Sequence, residues 1–415
     1  MDRFDIIIIG AGPAGLSAAV AASRFQRKIL LLDKADQPGK KILVTGNGKC
    51  NLTNEYQDIS CYRTEDPEKA RQVLSRFDYE DTLAFFEELG ILTRKRKGYL
   101  YPYNEQAASV REAFVLRLGQ EAGVTLKTSC RVDSIRTLEQ GYRVICGKES
   151  YQAPVVILAS GGLAGSGLGA DGSGYDLAKS LDHRLIATCP ALTALRSSAP
   201  FLKKISGVRN QAEITLMIDG NRITGESGEL QWTDYGISGV CVFQLSRYAV
   251  IALEAGKKVS VLIDLVREWD DRQLADYLEK ICVRCSYKNM GEILNGILPR
   301  KLVPVVLKEA GLTPEKMPAE CSRDKLLQLV KAMKAFPLRI NGYMGYEKAQ
   351  VTRGGIPLSQ VSDSLESLLH PGLFFAGEIL DVDGTCGGYN LQWAFSSGNV
   401  AGRAAGLYGE RIIGS

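Results

Sequence analysis

The chain has 415 residues, enough for two or three domains at about 150 residues each. Hydrophobic residues make up 45% and charged residues 24%, a globular balance that excludes a disordered or fibrous protein. Against 47 Asp and Glu, 51 Lys and Arg leave a net charge of +4, which neither demands nor excludes nucleic acid.

Residues 4–9 form a continuous apolar run, as in a parallel strand buried on both faces. Gly10, Gly12 and Gly15 follow, then an alanine-rich helix over 16–25 and a second strand over 28–32 closed by Asp33. The stretch 6–23 carries no charge, but Gly10, Gly12, Pro13 and Gly15 interrupt it. A membrane span or signal sequence does not need them there; a strand, turn and helix do. Residues 36–54 read as loop, 67–90 as helical, 99–103 as a short aromatic hairpin and 111–122 as helix. Strands are predicted over 124–135, 142–146 and 155–159, the last ending in Ser160, Gly161 and Gly162. From 190 to 265 the pattern alternates, as in an antiparallel barrel or sandwich. Residues 268–334 have helical periodicity, 335–350 look extended, and 373 to the end reads strand, loop, helix.

This order predicts an α/β protein. A Rossmann-like domain over 1–189 and 351–415 is interrupted by an inserted β-barrel over 190–265, a helical subdomain over 266–334 and a return strand of the barrel over 335–350. Ten cysteines are scattered along the chain, with one CxxC pair at Cys282 and Cys285. Dispersed thiols in a chain of this size suit a reduced, cytoplasmic protein. No metal site is expected: a second CxxC is missing and His183 and His370 are the only histidines. Glycine is in excess, 43 of 415 against a usual ~7%, which fits close backbone approaches in a nucleotide site.

Three glycine-rich segments carry the chemistry. In the first, Gly10 permits a tight turn, Gly12 lets the backbone approach a pyrophosphate, and Gly15 lets helix and strand pack closely. The helix start offers N–H groups to the phosphates, and Asp33 can accept from ribose hydroxyls. The second is the turn at Ser160, Gly161 and Gly162, which is equally a plain end to a core strand. The third runs from Gly372 through Gly377 and Glu378, then Asp383, to Gly387, Gly388 and Asn390 at a helix start. N–H groups there could meet the N1–C2=O edge of a reduced flavin. A second full GxGxxG for nicotinamide is absent; Gly165, Gly167 and Ala170 make a near miss.

The segments TGNGKCNLTN (45–54), GYLYPYNEQA (98–107), DGSGYDLAKSLDH (171–183), YGISG (235–239), QVTRGGI (350–356) and PGLFFAGEILDVDGTCGGYNLQWAFSSG (371–398), with the opening GAGPAGL, make the chain similar to the BaiN-like, or YhiN-like, bacterial flavoproteins. These are also called aminoacetone oxidase-like. The resemblance runs nearly end to end. It implies FAD, a two-dinucleotide-binding-domain type of fold, and NAD(P)H as a transient electron donor. Activities in the family include reduction of bile-acid enones, oxidation of aminoacetone, and reduction of a uridine in ribosomal RNA. By motif, Gly10, Gly12, Ala14 and Gly15 correspond to the pyrophosphate turn, and Asp33, where Glu is commoner, to the ribose acid flanked by Lys34 and Lys41. Gly48, Lys49, Cys50 and Asn51 correspond to Gly-Arg-Cys-Asn, with Lys weakening any bidentate contact. Val132 corresponds to a backbone contact to adenine, and Ser160, beside Gly161, to a Thr. Gly377, Glu378, Asp383, Gly388, Tyr389, Asn390 and Leu391 correspond to the ribityl and flavin-edge segment. The loop 163–170 departs from the family's form.

Cys50 and Cys386 both fall in segments expected near the flavin. Either could give a proton to a substrate carbon while the flavin delivers hydride. The plainer reading is a small residue packed in a glycine-rich loop, because thiol reactivity needs a special setting. Arg94 to Lys97, followed by Tyr99, Tyr101 and Tyr103, could hold phosphates and stack bases, or could be a solvated face beside a small-molecule pocket. The expected protein is therefore an FAD-dependent oxidoreductase that uses NAD(P)H to reduce an activated C=C bond of a small molecule, with no membrane partner. The alternatives are an amine oxidase, a dihydrouridine synthase acting on ribosomal RNA, and a flavin-binding protein without turnover.

Overall fold

A computed structural model describes residues 2–408; residues 409–415, at the end of the expected second segment, lie outside the described residues. The chain divides into two compact units, residues 1–189 with 350–415, and residues 190–349.

The first unit is built on a five-stranded parallel sheet in the order Leu373–Phe375, Val155–Leu158, Ile6–Ile9, Ile29–Leu32 and Val124–Lys127. The strands IIII, ILLL and VVIL are buried at every residue, which only a sheet covered on both faces allows. The strand Leu373–Phe375 lies at the edge beside Val155–Leu158, so the sheet needs both ends of the chain. The first helix, Pro13–Ser23, opens three residues earlier than its alanine run suggests. Proline at the first helical position has a preset φ and no N–H to leave unpaired. The helical stretch 67–90 is two helices, Pro67–Ser75 and Tyr79–Glu88, each capped by an aspartate, Asp66 and Asp78. The aromatic strand Tyr99–Pro102 pairs with the basic strand Thr93–Arg96, so the hairpin lies farther upstream than the aromatic residues alone indicate.

The C-terminal helix, Tyr389–Gly406, packs on Pro13–Ser23. Any side chain at Gly398 would collide with the carbonyl of Ala14, and any at Gly402 with that of Ala18. Two glycines four residues apart therefore let the helices meet backbone to backbone. Asn399 donates to the Ser17 hydroxyl at 3.1 Å, and that hydroxyl donates to the Phe395 carbonyl at 3.1 Å.

In the second unit, a seven-stranded sheet runs in the order Phe336–Ile340, Val259–Asp264, Arg209–Ile218, Asn221–Trp232, Gly236–Ser238, Leu195–Arg196, Gly342–Tyr343. The two end strands are separated in sequence by Asn341 alone, so one stretch of chain pairs with both edges and closes the sheet. Residues 190–265 are not all strand, as the alternation suggested: Val240–Glu254 is a helix. Its buried Val242, Leu245, Ala249 and Ala252 recur at helical spacing, a period the flanking strands mask. Helices Asp271–Arg284, Met290–Leu294, Val303–Glu309 and Arg323–Lys334 complete the unit. Cys282 lies buried on the first of these and Cys285 caps it. Among the described residues no helix is long and apolar enough to cross a membrane.

Gly402→Val should destabilise the protein by about 1–3 kcal/mol, the usual cost of overpacking, because the Ala18 backbone cannot yield as a side chain would. Denaturant unfolding measures this, and Arg403→Ala, on the exposed face of the same helix, is the control expected to stay within about 0.5 kcal/mol.

Candidate functional site

The site forms at the carboxyl ends of the parallel strands, where open α/β sheets bind ligands. Gly10 has φ +105°, and a side chain on it would strike the Ala159 carbonyl on the neighbouring strand's turn. Gly15 presses on the Gly10 carbonyl in the same way. Gly12 differs, since a Cβ there would meet nothing within 4 Å. The same holds for Gly161, which has φ +73°. The two glycines border open space at adjacent strand ends, and the first helix aims its N-terminus there. Asp33 ends the next strand. Its carboxylate accepts the Ala11 N–H at 2.6 Å and the Ala35 N–H at 2.7 Å, and each oxygen keeps a second lone pair for a sugar hydroxyl. Burial pushes its carboxyl above the usual range, while those N–H groups oppose the rise. Val132 lies in the adjoining loop, which is tied to Asp33 by the Cys130 N–H on the Asp33 carbonyl at 2.8 Å.

Four distant segments are knotted together beside this turn. Lys41 pairs with Glu378 at 2.5 Å and donates to the Ala164 carbonyl at 3.2 Å. The other Glu378 oxygen accepts the Thr352 N–H at 2.8 Å. The Thr352 hydroxyl oxygen accepts the Leu163 and Ala164 N–H groups at 2.8 and 2.9 Å. Lys41 and Glu378, expected as separate cofactor ligands, are thus partners of each other. Lys34 pairs with Asp171. Burial works against that acid's charge, yet Lys34 and Ser173 hold its carboxyl well below the usual range. Thr352 and Asp171 were not singled out from sequence, although both lie in family-like segments; their signal was a polar residue between glycines or apolar neighbours.

The C-terminal helix starts at Gly388, with φ +98°, whose missing Cβ would stand 2.7 Å from the Thr53 backbone. Asn54 donates to the Gly387 carbonyl at 3.1 Å, and Tyr99 and Tyr389 wall the same turn. The Asn390 side chain holds the preceding loop, accepting from the Gly384 N–H at 2.8 Å and donating to its carbonyl at 2.9 Å. The backbone N–H groups of Tyr389, Asn390 and Leu391, in the helix's first turn, have no partner within the helix. The Tyr389 hydroxyl, raised by burial, stays protonated. Gly377 donates its N–H to the Ser397 hydroxyl at 2.9 Å, and Asp383 is buried in a two-residue strand against Tyr62–Arg63.

The segment 46–50 is a compact turn in which Gly46, Asn47, Gly48 and Cys50 all have φ between +55° and +83°. Cys50 is fully buried in it, and burial pushes its thiol up to about 12. A thiol with no accessible surface favours the plainer reading, a packed residue, over a catalytic one. Cys386 is partly exposed, with its sulfur 4.0 Å from Gln350 Oε1. Lys49 pairs with Glu105 at 2.7 Å, Arg94 pairs with the same carboxylate and Arg96 reaches it at 3.6 Å, and Lys95 pairs with Glu55. Held by Lys49 and Arg94, the Glu105 carboxyl drops to about 2. Three of the four residues in the basic run therefore already meet acids on the protein. His183 is bound between Gln360 and Ser367, at 3.0 Å from each, a structural role.

Two buried oxygens in this region, Ser160 Oγ and Asn51 Oδ1, have no hydrogen-bond partner among the described residues. Such orphans are costly unless a ligand completes them. With the open cradle at Gly12 and Gly161 and the acid at Asp33, they fit an extended dinucleotide.

Residues 4–404 match the family model described as HI0933-like protein Rossmann domain. A 3-dehydro-bile acid delta(4,6)-reductase of Clostridium scindens is 41% identical over 401 residues, covering 96% of this chain and 98% of its own. A ribosomal RNA dihydrouridine synthase of Escherichia coli is 30% identical over 404 residues, 96% of each chain. Among solved structures, a quinol-fumarate reductase with menaquinol shares the fold, with a TM-score of 0.50 and 16% identity over 99% of this chain and 72% of that one.

Gly12→Val should fold with near wild-type stability, since its side chain enters open space, yet retain less than about a tenth of the FAD, a loss equivalent to at least about 1.4 kcal/mol. Gly10→Val should instead lose stability, because it strikes backbone. Flavin absorbance and urea unfolding on both variants distinguish the two roles.

Proposed function

The chain belongs to the HI0933-like Rossmann family and is an FAD-dependent oxidoreductase; from that premise we propose that it uses NAD(P)H to saturate a C=C bond conjugated to a carbonyl, in an acidic steroid of the bile-acid type. The observation that carries this reading is the end-to-end 41% identity with the bile-acid reductase, above the 30% shared with the RNA-modifying relative. Both relatives act on the same bond type, because dihydrouridine is uridine with its conjugated C5=C6 bond saturated. The ion-paired state of Arg94, Lys95 and Arg96 favours the small molecule.

The residues divide the work as follows. Gly12, Ala14 and Gly15 would shape the pyrophosphate turn, with the first helix supplying N–H groups. Asp33 would hold the adenosine ribose, and the loop at Val132 would border the adenine. Ser160 and Asn51 would complete their orphaned hydrogen bonds on the cofactor. The first-turn N–H groups of Tyr389, Asn390 and Leu391 would stabilise negative charge at the flavin's carbonyl edge. When bound, FAD would supply the hydride chemistry between NAD(P)H and the β-carbon of the enone. The α-carbon then takes a proton, so that enone, NAD(P)H and one proton give saturated ketone and NAD(P)+. Cys386 is the partly exposed acid nearest the helix start in sequence and would supply that proton. The free thiols throughout the chain suit a reducing cytoplasm.

Under anaerobic conditions NADH or NADPH should bleach the flavin, and a carboxylated 4-en-3-one steroid should restore its colour with one equivalent of saturated product. Cys386→Ala should slow the second step by about 10²-fold or more, as loss of a general acid does, and leave the first unchanged. Recolouring by ribosomal RNA but not by the enone, or bleaching by amines but not by NAD(P)H, would overturn the reading.

A further inference from the structure

The unit 190–349 contains a cleft of about 650 Å³ that the motifs above do not explain. Arg196 lines it, on the two-residue strand Leu195–Arg196. Its register partners are Gly236 on one side and Gly342 on the other. Directly opposed residues of antiparallel strands project from one face. With glycine at both flanking positions, nothing from either neighbouring strand covers the face around Arg196. The arginine stem uses part of that room: a Cβ at Gly342 would stand 3.6 Å from Arg196 Cβ and 3.8 Å from Cδ. Gly236 is forced by its own crowding, since a side chain there would strike the Leu195 carbonyl. The sheet is thus hollowed out around one cation.

The guanidinium makes no ion pair or hydrogen bond among the described residues. Asp234 also lines the cleft, yet the two do not form an ion pair. Elsewhere in the unit, Arg209, Arg267 and Lys334 each have an acid within reach. Hydroxyl donors line the same cleft as Arg196. The Ser198 oxygen accepts from Asn341 Nδ2 at 2.8 Å, which leaves its own proton to donate. Ser197 accepts from the Ala199 N–H at 3.3 Å and is likewise left with a proton. Tyr235 lines the same wall. Tyr343 donates its hydroxyl to Glu254 at 2.9 Å, so it offers the cleft its ring more than its oxygen.

We propose that this cleft binds the carboxylate of a small amphipathic acid, with Arg196 as its ion-pairing residue and the two tyrosines against its apolar body. A planar two-oxygen anion matches the guanidinium fork. One negative charge balances the one uncommitted cation, whereas a phosphate dianion would set its second charge against Asp234. That the acid is a steroid rests on the reductase reading; the preference for a carboxylate does not.

The test is calorimetric titration of the FAD-loaded protein with cholate and with its methyl ester, which differ only at the carboxylate. The acid should bind at least tenfold more tightly than the ester. Arg196→Gln should erase that preference, and Arg196→Lys should restore part of it. FAD content and melting temperature should not change, since the side chain is exposed and unpaired. Equal binding of acid and ester by the wild type, or an intact preference in Arg196→Gln, overturns the proposal. So does displacement of cholate by a short ribosomal RNA fragment with no displacement in Arg196→Gln, which would assign the cleft to phosphates. Flavin bleaching by NAD(P)H on the same samples reports separately on the reductase reading, so either idea can fail without the other.

Discussion

The ring of contacts through Lys41, Glu378, Thr352 and Ala164 is the constraint on which the nucleotide-binding unit depends. It joins a loop after the second strand, the turn after Val155–Leu158, the strand Val351–Gly355, and the turn after Leu373–Phe375. These segments are more than 300 residues apart at the extremes, as Lys41 and Glu378 show. Lys41 and Glu378 keep only 25% and 17% of their side-chain surface exposed, so removing either leaves a largely buried charge unpaired. The pair therefore fixes where the C-terminal segment lies relative to the first glycine turn. Only with that position set can both ends of the chain face one ligand.

Close packing does the rest. Gly10, Gly15, Gly398 and Gly402 are glycines because another backbone occupies the place of their side chains. Gly12 and Gly161 are glycines beside open space. The sequence shows six similar residues, and the structure separates them into those that hold the fold and those that leave room for a ligand. The start of the C-terminal helix follows the same logic. Asn390 commits its side chain to the Gly384 loop, which fixes the chain just before the helix start, where the proposed function needs main-chain donors. Fixed donors of this kind cost no reorganisation when charge develops.

The parallel sheet and its first turn were legible because buried strands such as IIII and VVIL admit little else, and because glycine spacing encodes a backbone shape. The helix Val240–Glu254 was not, since its flanks alternate with the period of strands and overwhelmed a helical period of only a few turns. Pairings between charged groups were also hidden. Nothing local to Lys41 points to Glu378, and nothing in the run at Arg94 points to Glu105; only the tertiary fold brings them together. For Cys50 the sequence left two readings, a proton donor or a packed residue, and burial, which sequence does not encode residue by residue, favours the second. Arg196 was passed over for the opposite reason: its importance comes from two glycines on other strands.

The Lys41–Glu378 pair is expected to act as one device that closes the cofactor site. A double-mutant cycle on FAD affinity measures this directly, using Lys41→Met, Glu378→Gln and the two combined. The account predicts that each single change weakens FAD binding and that the double variant is little worse than either, a coupling of about 0.5–3 kcal/mol as for residues in direct contact. Additive losses, with no coupling, would contradict it and return the two residues to independent roles at the site.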